Sequence, residues 1–186
     1  KELHLDSQGI IWVATQSGLL LLEPLTASTQ LLRPDLHYPY SLPNNWVWSI
    51  FPDPDGGIWV GTYGGKLAYM TFADNGVDYF KATPGGLNHP IVSCFEEDSE
   101  GNLWIGTEGG GINRWDRRDG RFVYYTQESR CGLTSNMIKK LWHDGNDRLL
   151  VSAFNGGMRV FDERQGRFSD LYMNHPASGQ PLSVYD

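Results

Sequence analysis

The segment EEDSEGNLWIGTEGGGINRWD, residues 96–116, contains the residue types of two kinds of binding loop. The glycines at 109–111 could cradle a phosphate through backbone N–H groups, and Asp98 and Glu100 could offer carboxylates to a metal ion. A phosphate loop needs the pattern G-x-x-x-x-G-K-S/T with a helix after it, and an EF-hand loop needs glycine at its sixth position. Neither pattern is present, so we interpret both parts of the segment as turns.

Other residues that could carry chemistry show no familiar spacing. The histidines form no H-E-x-x-H pattern, and no G-x-S-x-G nucleophile motif is present. Cys94 and Cys131 form no C-x-x-C pair, so we expect two separate thiols and no zinc site. A pair of carboxylates for glycoside cleavage stays open, because the chain has 22 acidic residues. We expect no catalytic residues, no metal and no cofactor.

Charge and hydropathy narrow the classes of partner. The chain has 186 residues, which is enough for a domain with a real core. Its formal net charge of -7 at pH 7 disfavours nucleic-acid binding, which needs a basic surface. No run of about 18 apolar residues is present, so we expect no membrane contact by this segment.

The opening segment is one of four related copies along the chain. DSEGNLWIGTEGG at Asp98 matches DPDGGIWVGTYGG at Asp53 and DSQGIIWVATQSG at Asp6, and a weaker copy begins at Asp144. These aspartates are spaced by 47, 45 and 46 residues. Further markers keep the same period, namely Trp12, Trp59 and Trp104 with Leu150 in the fourth slot, and the leucines Leu42, Leu87 and Leu133.

A period near 46 residues, with short apolar runs, predicts one small β-unit per repeat. Each repeat divides into four β-rich pieces, which we name strands A to D, with turn residues between them. In the third repeat the predicted strands are Ile91–Glu97, Leu103–Thr107, Gly111–Asp116 and Phe122–Thr126. The sequence therefore predicts an all-β fold of β-propeller blades, each of four antiparallel strands, in about four repeats.

We expect a single propeller segment over residues 1–186. Its predicted repeats are residues 1–41, 42–86, 87–132 and 133–181, and residues 182–186 begin a further strand A. Two interpretations are open: the chain is a piece of a longer array, or its ends meet and close four blades. Unclosed edges would favour self-association.

The repeat pattern assigns structural roles to its fixed positions. Asp-x-x-Gly between strands A and B predicts a hairpin turn, in which Asp caps its own backbone and Gly takes a positive φ. The Trp of strand B is expected to fill the wedge between adjacent blades. A small residue two positions later is expected to permit close approach. It is Ala14, Gly61, Gly106 and Ser152 in the four repeats.

The sequence IVSCFEEDSEGNLWIGTEGGGINRWD resembles the two-component regulator propeller repeat, V-x-x-I-x-E-D-x-x-G-x-L-W-I-G-T-x-G-G-G-L-x-R-Y-D, nearly throughout. WVWSIFPDPDGGIWVGTYGGKLAYMT is also similar, with Thr71 at the closing Asp. The resemblance implies part of a seven-bladed propeller in the periplasmic sensor region of a hybrid two-component histidine kinase of Bacteroidetes type. It also implies sensing of oligosaccharides, signalling to transcription, and contacts with further blades and downstream domains of the parent chain.

Candidate ligand-binding residues are those that change between repeats on one face. By analogy with other propellers, the B–C turns and the D–A connections share a face. The B–C turns carry Gln16, Tyr63, Glu108 and Phe154, and the first D–A connection carries Arg33, His37, Tyr38 and Tyr40. Aromatic rings can stack on a sugar, and polar groups can bind its hydroxyls.

Two other functions stay open. One is a propeller enzyme resembling the streptogramin-inactivating lyases, for which His89 and Glu108 would be the first pair to converge. The other is a protein-interaction scaffold, which exposed apolar patches at the strand edges would favour.

Overall fold

A computed structural model describes residues 2–37, 41–64, 66–71, 76–171, 173–174 and 181–182. This part of the chain is built from β-strands, with a 3-10 helix at Gln127–Ser129. None of its helices has the length and hydropathy needed to span a bilayer.

Four sheets follow one another along the chain. The first contains β1 (Leu3–Leu5), β2 (Ile11–Thr15), β3 (Gly18–Glu23) and β4 (Ser28–Leu32). The second contains β5 (Val47–Pro52), β6 (Gly57–Thr62), β7 (Leu67–Thr71) and β8 (Gly76–Phe80). The third contains β9 (Val92–Glu97), β10 (Leu103–Thr107), β11 (Ile112–Trp115) and β12 (Phe122–Tyr125). The fourth contains β13 (Ile138–His143), β14 (Arg148–Ala153), β15 (Gly157–Asp162) and β16 (Arg167–Asp170), and a short pair, β17 (Met173–Asn174) and β18 (Pro181–Leu182), follows.

Each of the four sheets orders its strands as they come in the chain, with neighbours hydrogen-bonded. This confirms the predicted all-β fold of four-stranded antiparallel blades. In the third repeat the observed strand ends lie within one residue of the predicted ones. The chain forms two compact units, Lys1–Phe95 and Glu96–Asp186, and each is described by itself.

In the first compact unit, the strand-B tryptophan packs against the next sheet. Trp12, Ala14 and Leu19 of the first sheet belong to one buried cluster with Ile50 and Val60 of the second. Burial of such apolar surface is the main favourable contribution to folding. Trp12 therefore fills the space between neighbouring blades, as predicted.

The second compact unit repeats this arrangement with aromatic rings. The Trp104 ring is fully buried, and its centroid lies 5.4 Å from that of Phe161 on β15. Tyr125 packs at 5.4 Å from Trp104 and at 4.7 Å from Phe161. These edge and offset contacts are the favourable geometries for aromatic pairs.

In the first three repeats, the aspartate of the A–B turn accepts two kinds of hydrogen bond. One oxygen of Asp6, Asp53 and Asp98 accepts the backbone N–H two residues later, at 2.9, 3.0 and 3.0 Å. This is the predicted cap. The other oxygen accepts the indole N–H of the Trp six residues on, at 2.8, 2.7 and 3.0 Å. The carboxylate thus joins the turn to the wedge side chain, a bond that the sequence analysis did not predict.

The fourth repeat lacks that tryptophan and replaces the bond. Asp144 again accepts the backbone N–H two residues later, from Asn146 at 2.8 Å, but its second oxygen accepts from Arg148 Nε at 2.6 Å. At the turn glycine position, Asp147 adopts the same left-handed conformation, with φ 61°, that Gly101 adopts with φ 81°. Aspartate tolerates this region better than most residues, at some cost in strain.

Close approach at the small residue of strand B is observed at Gly61. A Cβ there would lie 2.4 Å from Ser49 Oγ and 2.9 Å from the carbonyl oxygen of Val92. Both distances are below van der Waals contact, so only glycine fits without a shift.

We predict that Asp98→Asn lowers the unfolding free energy by about 1–3 kcal/mol at neutral pH, because an amide NH₂ would face groups that all donate. These are Trp104 Nε1, the Glu100 and Asn102 N–H groups, Asn102 Nδ2 and Arg114 Nε. Burial alone would raise the pKa of Asp98, but hydrogen bonds from Asn102 and Trp104, with the charge of Arg114, lower it overall.

A lowered folded pKa means that this stabilisation is present above the unfolded value of about 3.9 and is lost as the pH falls through the folded value. Urea unfolding at a series of pH values measures the difference in unfolding free energy between the wild type and Asp98→Asn. This difference should be largest near neutral pH and should shrink in acid. Asp78→Asn, at an exposed position of β8, is the matched control. A difference that grows on acidification would contradict the prediction.

Candidate functional site

The B–C turns hold one variable side chain each, and a threonine fixes three of these turns. Thr15, Thr62 and Thr107 end strand B, and each hydroxyl donates to a carbonyl across the turn, to Gly18 at 2.7 Å, Lys66 at 3.1 Å and Gly111 at 2.9 Å. In the fourth repeat Thr134 donates instead to the Gly156 carbonyl, at 2.7 Å. The residue after strand B therefore sits at the same point of a fixed turn in every repeat.

In the second repeat this residue is Tyr63, which joins two tryptophans at the start of β5. Its ring centroid lies 4.8 Å from that of Trp46 and 5.8 Å from that of Trp48. The two tryptophans lie 6.2 Å apart. Trp46 is 36% exposed and Tyr63 43% exposed. We call Trp46, Trp48 and Tyr63 the aromatic platform.

Backbone hydrogen bonds hold the platform in place. The Tyr63 N–H donates to the carbonyl of Trp46 at 2.9 Å, so the B–C turn is tied to the first residues of strand A. The Trp46 N–H in turn donates to Asn44 Oδ1 at 2.8 Å. Three large rings are thus kept at the surface by the turn and strand on which they sit, and a ligand would meet a preformed apolar surface.

The equivalent place in the fourth repeat has a different chemistry. The Phe154 N–H donates to the carbonyl of Met137 at 2.8 Å, as Tyr63 does to Trp46. Lys139 takes the position of Trp48, and its Nζ lies 5.5 Å from the centroid of the Phe154 ring. Both oxygens of Glu108 accept from this Nζ, each at 2.7 Å. Glu108 and Phe154, two of the predicted site residues, therefore meet through Lys139.

The remaining predicted residues lie apart from these groups or outside the described residues. Gln16 is exposed in the first B–C turn, and Arg33 Nε donates to the Ser17 carbonyl of that turn at 3.1 Å. His37 is exposed, and its N–H donates to Asp35 Oδ1 at 2.8 Å. Tyr38 and Tyr40 lie outside the described residues.

Sequence reasoning did not name Trp46 and Trp48 as candidate site residues. A signal was available, because Trp46 and Trp48 stand four and six residues after the marker Leu42. The third and fourth repeats have Ile91 with Ser93 and Met137 with Lys139 at those positions. Residues that vary there, beside a variable B–C turn, are not required by the blade.

His89 and Glu108, the pair that a propeller enzyme would need, each form hydrogen bonds with residues close to them. His89 Nδ1 accepts the backbone N–H of Ile91 at 3.2 Å, and Glu108 is held by Lys139. Among the residues that the structure describes, no three His, Cys, Asp or Glu side chains cluster as metal ligands would. Cys94 is buried and Cys131 half-buried, and both are reduced thiols in this structure.

A cavity of about 350 Å³ opens in the second compact unit, at the end of the sheets where the A–B turns lie. Trp104, Tyr125 and Phe161 lie at its base, and its other lining residues are charged. They are Glu100, Arg114, Asp147, Glu163 and Arg164. Most of these charges are already paired, as in the bond from Arg164 Nε to Asp147 Oδ2 at 2.8 Å. The charged groups around the cavity thus pair largely with one another.

One carboxylate of this rim has an altered proton affinity. Burial raises the pKa of Glu163, and the charge of Asp98 adds to the rise, while His143 acts against it. His143 Nε2 lies 2.9 Å from Glu163 Oε1.

Comparisons with known proteins agree with the repeat pattern. The family model for the two component regulator propeller matches residues 41–64 and 86–109, which include the aromatic platform and the Asp98–Trp104 turn. No protein with a curated description matches the sequence.

Two of the solved structures with a similar fold are described here. One is the extracellular domain of a hybrid two-component system from B. thetaiotaomicron, with 19% identity, a TM-score of 0.81, and coverage of 95% of this chain and 25% of that chain. Another is PorZ, a surface component of the type-IX secretion system of Porphyromonas gingivalis, with 15% identity, a TM-score of 0.67, and coverage of 92% and 27%. The chain spans about a quarter of the length of these relatives, and the likeness confirms the propeller fold.

We predict that Glu163→Gln becomes more favourable, relative to the wild type, as the pH rises from about 4 to 7. A raised folded pKa means that Glu163 stabilises the fold below the unfolded value of about 4.3 and that this contribution is lost as the pH rises through the folded value. Glutamine keeps the neutral form at every pH. Urea unfolding across this range measures the difference, and Glu100→Gln, at an exposed rim position, is the control. If the stability of Glu163→Gln relative to the wild type stays constant or falls as the pH rises, the prediction is wrong.

Proposed function

We propose that this chain, whose second and third repeats are two component regulator propeller repeats, is part of the sensor region of a two-component regulator. The similar structure from B. thetaiotaomicron is the extracellular domain of such a system, which supports an extracytoplasmic, periplasmic location for this chain. In this proposal the segment binds a ligand and performs no catalysis. The parent protein is a histidine kinase whose output reaches transcription.

The aromatic platform is the observation that carries the ligand proposal. Three rings within 4.8 to 6.2 Å of one another stand at the surface, on a turn that varies from repeat to repeat. The C–H face of a sugar ring packs on such rings, while its hydroxyl groups bond to polar neighbours. An oligosaccharide is therefore the ligand class that we propose.

The repeats suggest how binding would become a signal. The platform joins the B–C turn of one blade to the start of its strand A, through the bond between Tyr63 and Trp46. A ligand that prefers one arrangement of these elements shifts the populations of blade packings, and no other source of energy is needed. The proposed partners that read this shift are further blades, completing a seven-bladed propeller, and the downstream domains of the parent chain.

A second candidate function has one observation in its favour. Leu3 and Trp142 are large apolar residues with 69% and 56% exposure, on faces of the first and fourth sheets. Exposed apolar faces are typical of protein-interaction surfaces, so a scaffold role is the alternative.

We predict that Trp46→Ala and Tyr63→Ala each lower the affinity for a bound oligosaccharide about tenfold, which corresponds to about 1.4 kcal/mol of lost stacking. The measurement is isothermal calorimetry of the purified chain with neutral oligosaccharides of glucose, mannose, galactose or xylose. Trp142→Phe, which removes an exposed indole from the other compact unit, should bind like the wild type. Circular dichroism checks that each variant is folded.

Two results would overturn the proposal. If the wild-type chain binds none of these sugars and the kinase output of the parent protein does not respond to them, the oligosaccharide proposal is wrong. If sugars bind equally to the platform variants and to the wild type, the platform is not the site.

A further inference from the structure

The cavity between the third and fourth sheets has an aromatic floor. Trp104 and Tyr125 belong to the third sheet and Phe161 to the fourth, and their ring centroids lie 4.7 to 5.4 Å apart. The cavity volume of about 350 Å³ is in the range of sites that hold small molecules. Both walls belong to the second compact unit, so the two blades that form the cavity are part of this chain.

The equivalent gap between the first and second sheets is filled by apolar side chains. Trp12 lies there in one buried cluster with Met70, and Leu21 and Leu32 pack against this cluster. Leu21 pairs with the tryptophan of strand B, as Arg114 does in the third sheet. The packing of neighbouring blades therefore does not require polar groups at this place.

The hydroxyl of Tyr125 is a polar group that the blade does not require. Leu32 and Phe80 stand at the same point of strand D in the first two repeats. Tyr125 lines the cavity, and within the part of the chain that the structure describes its hydroxyl has no hydrogen-bond partner. This hydroxyl is therefore available to a ligand.

The carboxylate of Glu163 has a neutral partner. His143 Nδ1 accepts the backbone N–H of Gly145 at 3.2 Å, so the ring proton lies on Nε2 and is donated to Glu163 Oε1 at 2.9 Å. The third repeat has an ion pair at the same two positions, with Arg117 Nη2 and Glu97 Oε2 2.8 Å apart. The fourth repeat thus places an acid beside the cavity without a cation to match it.

Glu100 is a second carboxylate with room for a stronger partner. Its Oε2 accepts from Asn102 Nδ2 at 3.4 Å and from Arg114 Nη2 at 3.5 Å. Both distances are long for a hydrogen bond to a charged group. The Glu100 side chain is 65% exposed, so it can turn toward a ligand at the mouth of the cavity.

Each guanidinium group of the cavity is paired with an aspartate. Arg114 Nε lies 3.3 Å from Asp98 Oδ2, and Arg164 Nε lies 2.8 Å from Asp147 Oδ2. The two glutamates are therefore in excess, and the cavity combines a surplus of negative charge with an aromatic floor. Carboxylates accept hydrogen bonds from an ammonium ion, and the faces of aromatic rings attract its charge.

We propose that this cavity binds a small organic cation that carries a primary ammonium group on a short carbon chain. The ammonium group donates to Glu163 and Glu100, and the carbon chain lies against the aromatic floor. A primary ammonium has three N–H donors, which match two carboxylates and the hydroxyl of Tyr125. The aromatic platform belongs to the other compact unit, so this site is additional to the proposed oligosaccharide site.

A titration of the purified, ¹⁵N-labelled chain with n-butylammonium chloride, followed by NMR of the backbone and indole N–H groups, tests the proposal. The wild type should show saturable shifts at residues around the cavity, beyond those caused by sodium chloride at the same concentration. 1-Butanol has a similar shape without the charge and should not bind. Tetramethylammonium has the charge without N–H donors and should bind about tenfold more weakly.

Substitutions in the cavity identify the groups that hold the cation. Glu163→Gln and Glu100→Gln should each raise the Kd for n-butylammonium about tenfold, because each removes one charged acceptor. Tyr125→Phe keeps the ring and should cause a smaller loss of affinity. Glu128→Gln is the matched control, since Glu128 is an exposed glutamate of the same compact unit outside the cavity. The dispersion of the backbone N–H signals shows that each variant is folded.

The dependence of the affinity on pH gives a second measurement. The charged and titratable groups around Glu163 are Asp98, Arg114, Tyr125 and His143. Because the pKa of Glu163 is raised, its protonation competes with the cation as the pH falls. The affinity of the wild type for n-butylammonium should therefore rise between pH values of about 4 and 7. The rise should be smaller in Glu163→Gln.

Three results would overturn the proposal. If n-butylammonium causes no saturable shifts in the wild type, the cavity does not bind ammonium ions. If 1-butanol binds as tightly, the cavity selects the carbon chain and the charge has no part in binding. If both glutamine variants bind n-butylammonium like the wild type, the cation binds elsewhere on the chain.

Discussion

The bond between a turn carboxylate and the indole N–H of a tryptophan six residues later is the interaction on which the first three blades depend. A tryptophan large enough to fill the space between blades brings a polar N–H into a buried position, where an unmade hydrogen bond is costly. The aspartate meets that need with one oxygen and closes the A–B turn with the other. Turn geometry and blade packing are therefore one constraint. The fourth repeat supports this view. It lacks the tryptophan, and the aspartate oxygen that would accept the indole N–H accepts from Arg148 instead.

Much of the fold could be predicted from the sequence, because the same residue types recur at the same positions in several repeats. The Asp-x-x-Gly turns, the wedge tryptophans and the close approach at Gly61 all follow from residues whose demands are local. The candidate site could not be predicted as fully. The platform depends on the end of strand B lying beside the start of strand A, and the pair of Glu108 and Lys139 joins neighbouring repeats. Such contacts depend on register and on which side of a strand a residue takes, and a residue-by-residue interpretation does not supply either.

The pKa values of two neighbouring carboxylates in the second compact unit shift in opposite directions. Asp98 is surrounded by donors, and these outweigh its burial, so its pKa falls. Glu163 is half-buried beside His143; its partial burial and the charge of Asp98 outweigh the effect of His143, so its pKa rises. The number of hydrogen bonds offered to each carboxylate, more than its depth, decides the direction. The turn that stabilises the third blade thereby also sets the charge on the rim of the neighbouring cavity.

The distribution of tryptophans has a spectroscopic consequence. Trp12, Trp59 and Trp104 are buried and bonded to carboxylates, whereas Trp46 and Trp142 are exposed to solvent. Buried and exposed indoles emit at different wavelengths, so the fluorescence of the chain divides into a blue component from the blade interiors and a red component from the surface. Acrylamide reaches the red component alone while the blades remain folded. A ligand or partner chain can then be followed through one part of the emission, and unfolding of the blades through the other.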